Sequence, residues 1–389
     1  MFESFVAQPP DALLALIALH RDDPRPEKLD LGVGVYRDES GVTPIMKAVK
    51  KAEEILLATR TTKSYLGPEG DLAYVDLLKP IVFGRDLGPR LTGIQTPGGT
   101  GALRLAAELI GAARPGARVL VGTPTWPNHA PILKAAGLTL VAHPFFDVAT
   151  QTLDFAALKA ALAGAGEGDV VLLHGCCHNP AGADLTAAQW DEIAEILAAR
   201  GVTPLVDLAY QGLGQGLDAD AYGARRLAER LPEVLVAYSC DKNFGLYRER
   251  VGALYALCRS EDSAAALLTH MAFHGRVAWS MPPDHGAAIV RTVLESPELT
   301  AIWREELDHM GARVRAVRAA LAAAEPKIAW LAGQQGMFST LPLSKAQIER
   351  LRTEHAVYMA GSGRINLAGL QVGDVPAFVA ALAAVGFPG

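Results

Sequence analysis

The sequence predicts an α/β protein: a large domain with a mostly parallel sheet flanked by helices, joined to a smaller α+β domain. Three observations carry this. Between residues 95 and 258 short apolar runs alternate with amphipathic runs at helical spacing, the pattern of repeated β–α–β units. After residue 259 the strand signal stops, and long helical patterns take over until a short mixed segment begins near Met337. A chain of 389 residues is long enough for a large core and two domains.

Pro9, Pro10, Pro24 and Pro26 make the first thirty or so residues an arm with broken helix. Strands are expected over 118–122, 138–143, 169–175, 203–208, 233–239 and 251–258. Their nearly continuous apolar character suits burial on both faces. Helices are expected over 101–113, 128–136, 155–164, 186–200, 225–231 and 297–324. Thr186-Ala-Ala-Gln189 has capping-box spacing ahead of Trp190, Ile193, Ile196 and Leu197. The Ala-rich stretch 156–166 keeps helical spacing and reads as a surface helix. No internal repeat is evident.

Composition excludes several classes. Half the residues are hydrophobic and 20% are charged, as in ordinary globular proteins. A formal net charge of −6 gives no reason to expect nucleic acid or a membrane surface as partner. Cys176, Cys177, Cys240 and Cys258 lack zinc or secreted-scaffold spacing and sit beside apolar runs, so reduced, buried thiols of a cytoplasmic protein are expected. No metal site is expected. Met-Phe-Glu-Ser-Phe at the start lacks the basic and apolar runs of a signal peptide, and no apolar segment reaches membrane-span length.

Chemistry concentrates in residues 233–252. The run Val234, Leu235, Val236 leads into Ser239 and Lys242, with Arg250 eight positions further on. A lysine just beyond a buried strand is awkward for folding alone. It is useful where a neutral, nucleophilic amine must form a Schiff base with a carbonyl cofactor. Thr203-Pro-Leu-Val-Asp207-Leu-Ala-Tyr210 puts a carboxylate at a strand end, where open α/β sheets bind ligands, although such an aspartate also serves as an ordinary helix cap. Thr96-Pro-Gly-Gly99-Thr100-Gly101 opens a helix with small residues, which lets backbone N–H groups approach a phosphate.

These segments, in this order, resemble the aspartate and aromatic-amino-acid aminotransferases, pyridoxal-phosphate enzymes of the type I fold. That resemblance implies a seven-stranded sheet, pyridoxal 5'-phosphate as cofactor, and a homodimer with shared active sites. It makes Lys242 the cofactor lysine and Asp207 the partner of the pyridine nitrogen. Tyr210 and Asn179, in His178-Asn179-Pro180-Ala181-Gly182, contact the 3-oxygen. Gly99, Thr100, Gly101, Ser239 and Arg250 hold the phosphate, with Tyr65 from the neighbouring subunit. Trp126, in Pro124-Thr-Trp126-Pro-Asn-His129, stacks on the ring, and His129 supports Asp207. Arg364, in Ser362-Gly-Arg364-Ile-Asn, takes the substrate α-carboxylate. Gly34, Trp126 and Asn179 join the substrate site, and Arg276 reaches across the dimer to a side-chain carboxylate.

Matching segments run from Leu31-Gly-Val-Gly34 to Arg364, nearly the whole chain. The implied division is an arm over 1–12, a small domain over 13–44 and 306–389, and a large cofactor domain over 45–305. Three positions depart from the family pattern. Asp241 replaces the usual Ser beside the lysine. Ser64 and Met281 replace Asn residues of aspartate enzymes and lean toward aromatic substrates. The expected activity is transfer of the amino group of aromatic L-amino acids (Phe, Tyr, Trp) and/or aspartate to 2-oxoglutarate by a ping-pong route. A strict aspartate aminotransferase, another pyridoxal-phosphate reaction, and a degenerate cofactor-binding regulatory protein are the alternatives.

Overall fold

The computed structural model describes residues 1–7 and 12–387. Pro9 and Pro10 lie outside the described residues, while Pro24 and Pro26 follow the helix Ala12–Asp22 and end it. The large sheet has seven strands: β1 (Leu91–Pro97), β2 (Arg118–Thr123), β3 (Thr139–Pro144), β4 (Val170–His174), β5 (Thr203–Leu208), β6 (Val234–Ser239) and β7 (Val251–Leu257). Their order across the sheet is β1-β7-β6-β5-β4-β2-β3. Only β7 runs against its neighbours, pairing antiparallel with both β1 and β6. The expected mostly parallel α/β sheet is therefore present.

That topology gathers chain ends at one edge. Gly252 at the start of β7 pairs with Ser239 at the end of β6, and Val251 with Pro97 at the end of β1. His174 at the end of β4 pairs with Asp207 near the end of β5. The carboxyl ends of β1, β4, β5 and β6 and the start of β7 thus meet near the turn that carries Lys242. This crevice is where parallel sheets place ligands.

Strand β1 was not expected. Thr92, Gln95, Thr96 and Pro97 read as loop, yet the strand is mostly buried. Burial is tolerated because the polar groups are paired. Gln95 accepts from the Asp71 amide at 2.9 Å and donates to the Pro283 carbonyl at 2.7 Å. Thr96 donates to the Gly98 carbonyl at 3.0 Å. Gly93 leaves room for Tyr255, since a Cβ there would lie 2.7 Å from the ring.

The following helix also begins earlier than expected, at Gly98 rather than Gly101, so Gly99 and Thr100 lie in its first turn instead of a preceding loop. The capping box at Thr186 and Gln189 forms as expected, and Trp190, Ile193 and Leu197 are buried. The Ala-rich segment forms the helix Phe155–Ala163. All four cysteines are unpaired and buried.

The helix Pro297–Ala324 links two cores. Leu299, Trp303 and Leu307 pack in the core under the large sheet, whereas Val317 and Leu321 pack with Leu31, Ile365 and Phe378 in a second core. The late strand Arg364–Asn366 gives Ile365 to that second core and pairs antiparallel with Phe338–Thr340, whose Phe338 packs in the first. Leu29–Asp30 joins the second core by pairing with Val357–Tyr358. Arg318 is buried between the two regions and donates to the carbonyls of Gly336 and Phe338. Trp303 stacks on Phe244 at 4.4 Å and donates to the Asn243 carbonyl at 2.7 Å, which fixes the turn bearing Lys242 against the long helix.

Candidate active site

A cavity of about 200 Å³ opens at this sheet edge, lined by Gly34, Gly99, Thr100, Trp126, Asn179, Asp207, Tyr210, Ser239, Lys242 and Arg250 among others. Ten of the residues singled out from the sequence therefore converge. Lys242 sits in the turn after β6, closed by the Phe244 amide on the Cys240 carbonyl and the Gly245 amide on the Lys242 carbonyl. Its Nζ lies 5.1 Å from the centre of the Tyr210 ring. Burial draws its pKa below the usual lysine value against the opposing fields of Asp241 and Asp207, with Arg250 adding to the depression. A lowered amine is the state a nucleophile needs.

Asp207 is held from behind. Its Oδ2 lies 3.0 Å from His129 Nε2. His129 Nδ1 is 2.8 Å from Thr125 Oγ1, and that hydroxyl is 2.9 Å from His174 Nε2. Burial pushes the Asp207 carboxyl up, but the His129 hydrogen bond and the fields of His129, His174 and Lys242 outweigh it and leave the pKa lowered. His174 is driven down to about 3, chiefly by burial and then by His129. The site thus keeps one carboxylate charged and one imidazole neutral.

Tyr210 accepts from Asn179 Nδ2 at 3.3 Å, and its own phenol is raised by burial and then by Asp207. Arg364 donates to the Gly32 carbonyl at 2.8 Å and to Asn179 Oδ1 at 3.4 Å, with its guanidinium 4.6 Å from the centre of the Phe338 ring. Its buried Nε has no partner among the described residues. Gly34 passes close to Phe338, and a Cβ there would fall 2.9 Å from its Cζ. Trp126 meets His129 edge-on at 5.2 Å.

At the opposite end, glycines leave a cradle. A Cβ on Gly98 would lie 2.6 Å from Arg250 Nη2, and one on Gly99 would lie 3.1 Å from Ser239 Cβ. The first-turn amides of the helix Gly98–Ala113, the Ser239 hydroxyl and Arg250 surround this space and suit an anion. Gly101 does not line the cavity. It lets the helix pack on Pro97, whose Cδ would be 2.7 Å from a Cβ there.

Arg364 and His129 touch residues of the cavity without lining it themselves, and two further expected residues lie elsewhere. Tyr65 is 93% exposed, and Arg276 is exposed on the helix Glu261–Trp279. Neither lines the cavity of its own chain. Sequence reasoning missed Tyr247, which lines the cavity and whose hydroxyl accepts from the Tyr36 amide at 2.9 Å. It also missed Thr125 and His174, which extend the chain behind Asp207. Their signal was Thr125 four residues before His129, and a polar residue ending the apolar strand β4.

An anion cradle at one end, a charged carboxylate at the other, and a depressed lysine beside a phenol and an amide are the donor set of a lysine-linked pyridoxal-phosphate enzyme. Pyridoxal 5'-phosphate has a phosphate, a basic ring nitrogen, a ring oxygen and a carbonyl to match them. Known proteins agree. The family model for aminotransferase class I and II matches residues 26–382. A tyrosine aminotransferase of Rhizobium meliloti (strain 1021) is 54% identical over 96% of this chain and 97% of its own length. The aspartate aminotransferase of Escherichia coli (strain K12) is 42% identical over 99% of this chain and 100% of its own. Among solved structures, an aromatic-amino-acid aminotransferase from Burkholderia pseudomallei, covalently bound to pyridoxal phosphate, superposes with a TM-score of 0.96 at 39% identity, covering 99% of each chain. The chain belongs to the class I and II aminotransferases, and its cofactor is pyridoxal 5'-phosphate.

Proposed function

We propose that this chain moves the amino group of aromatic L-amino acids and of aspartate to 2-oxoglutarate by a ping-pong route. The observation that carries this is the single cavity joining Lys242, Asp207, Tyr210, Asn179, Ser239 and Arg250. Relatives named tyrosine, aromatic-amino-acid and aspartate aminotransferase, at 54%, 47% and 42% identity, support the substrate range. A degenerate regulatory protein would be expected to lack Lys242 or Asp207, and both are present.

The bound cofactor supplies a carbonyl that links to amines and a protonated ring that takes up the electron pair of the Cα–H bond. Lys242 would hold the cofactor, and its amine, with the pKa lowered by burial, would take the proton at the substrate Cα. Asp207, kept charged by His129, holds the proton on the ring nitrogen. Tyr210 and Asn179 address the ring oxygen. Arg364 forks the substrate α-carboxylate, the role for which its free Nε is suited. Holding that carboxylate also keeps its bond out of line with the ring, which disfavours decarboxylation.

Substrate choice turns on Arg276, which we assign to the cavity of a neighbouring subunit. A charge-assisted hydrogen bond is worth about 1.5–3 kcal/mol, or roughly 10- to 150-fold. Arg276→Leu is therefore expected to lower kcat/KM for aspartate by about that factor and to spare phenylalanine and tyrosine. The wild type should accept both classes, with aromatic turnover comparable to or above that of aspartate. Equal losses on all three substrates would remove Arg276 from this role. Negligible aromatic turnover in the wild type would leave a strict aspartate enzyme.

The exposure of Tyr65 and Arg276 supports a homodimer with shared sites. Mixing inactive Lys242→Ala protein with Arg276→Asp protein should restore some aspartate activity through mixed dimers. Absence of recovery after verified subunit exchange would count against it. Four unpaired cysteines support a reducing, cytoplasmic setting. No helix among the described residues is long and apolar enough to cross a membrane.

A further inference from the structure

The phosphate cradle contains a carboxylate. Asp241 is buried, lines the same cavity as Gly99, Thr100, Ser239 and Arg250, and accepts a short hydrogen bond from Arg250 Nη1. Its other oxygen accepts from the Val251 amide at 3.2 Å, and its own amide donates to Ser239 Oγ at 3.2 Å. Two donors therefore clamp the carboxylate inside the cradle. Arg250 is fixed as well. Its Nη1 also donates to the Tyr247 carbonyl at 3.1 Å, and its backbone lies in the left-handed region with φ of 56°. Asp241 Oδ2 would stand 3.2 Å from a Cβ on Gly98, so the negative charge borders the helix N-terminus that should receive the anion.

We propose that Asp241 is a built-in counter-ion of the phosphate cradle, so that this enzyme holds the unlinked pyridoxamine form of its cofactor weakly and exchanges it with solution. The proposal rests on the cofactor reading of this cavity. Arg250 carries one positive charge, and Asp241 already offsets it. An entering phosphate must displace the carboxylate from Arg250 or share the guanidinium with it, and in either case meets a like charge within the same small space. Like charges at close range in a partly desolvated space repel. After sharing and relaxation we expect ~10- to 100-fold in affinity. The pyridoxal form escapes this weakness through its covalent link to Lys242. The pyridoxamine form has no such link and depends on the cradle and the ring contacts alone.

The test is equilibrium dialysis of pyridoxamine 5'-phosphate against the full-length, cofactor-free protein and its Asp241→Ser and Asp241→Asn variants. Both substitutions remove the charge, and Asn keeps the size and an acceptor for the Val251 amide. Both are expected to tighten binding by ~10- to 100-fold, and inorganic phosphate should compete correspondingly better. Unchanged or weaker binding in the folded variants would overturn the proposal and make Asp241 a clamp for the turn. The wild type provides an arm that needs no variant. Its dissociation constants for pyridoxamine and for pyridoxamine 5'-phosphate should differ by less than ~100-fold, and any larger gain from the phosphate would overturn the proposal. If no protein binds pyridoxamine 5'-phosphate at all, the cofactor reading falls with it, whereas equal binding by all three leaves that reading intact.

Discussion

Lys242→Ala protein is expected to lose turnover by more than ~10⁴-fold, because two contributions vanish together. General acid–base help alone is worth roughly 10²–10⁴-fold, and the covalent attachment that positions the cofactor is lost as well. The fold should survive. Removing an amine whose burial disfavours its charged form relieves a cost of folding rather than adding one. Borohydride reduction of wild-type holoenzyme followed by peptide mass mapping should place the cofactor on Lys242. A label on another lysine, or an active Lys242→Ala protein, would show that a different amine does this work.

Asp207→Asn is the second large loss. The substitution keeps the shape and a hydrogen-bonding atom for His129, 3.0 Å away, but removes the charge we propose to hold a proton on the ring nitrogen. Loss of one charge-assisted pairing is worth about 1.5–3 kcal/mol, roughly 10- to 150-fold. That is a lower bound, since the electron sink weakens at the same time. Cofactor binding should persist while exchange of the substrate Cα proton for deuterium falls by at least that factor. Unchanged exchange would remove Asp207 from the role.

The pH dependence of stability follows from Asp207 and His174. Asp207 titrates below its ordinary value in the folded protein, so its contribution is fully present above the unfolded carboxyl value of about 3.9 and is lost as pH falls through the lower folded value. His174 is held neutral down to about pH 3, whereas an unfolded histidine takes a proton near ~6.5. Its burial therefore costs stability progressively as pH falls from about 6.5 toward 3.

Much of the site was legible in the chain because its chemistry is local. Lys242 with Ser239, Asp207 with Tyr210, and Asn179 before Pro180 each sit on one short strand-to-turn segment, and the apolar strand ahead of each announces a carboxyl end. The continuous apolar runs likewise mark β2 and β4–β7, since burial on both faces leaves no alternation to confuse. Strand β1 was hidden for the opposite reason. Gln95 and Thr96 look like loop residues, and only their partners Asp71, Pro283 and Gly98 make them fit to bury. Thr125 and His174 were missed because the hydrogen-bonded line behind Asp207 joins residues 78 and 49 positions apart, a distance no local pattern spans.

By itself the sequence picked out most of the residues that line the cavity, the alternation that builds a parallel sheet, and the small residues at the helix start, all of which depend on residue type and short spacing. Tertiary structure alone decided how those groups address one another. It set Thr125 and His174 behind His129, Arg364 beside Asn179, and the Asp241 carboxylate against Arg250, because strand order across the sheet, rather than order along the chain, fixes which side chains share a desolvated space and hence which charges persist there.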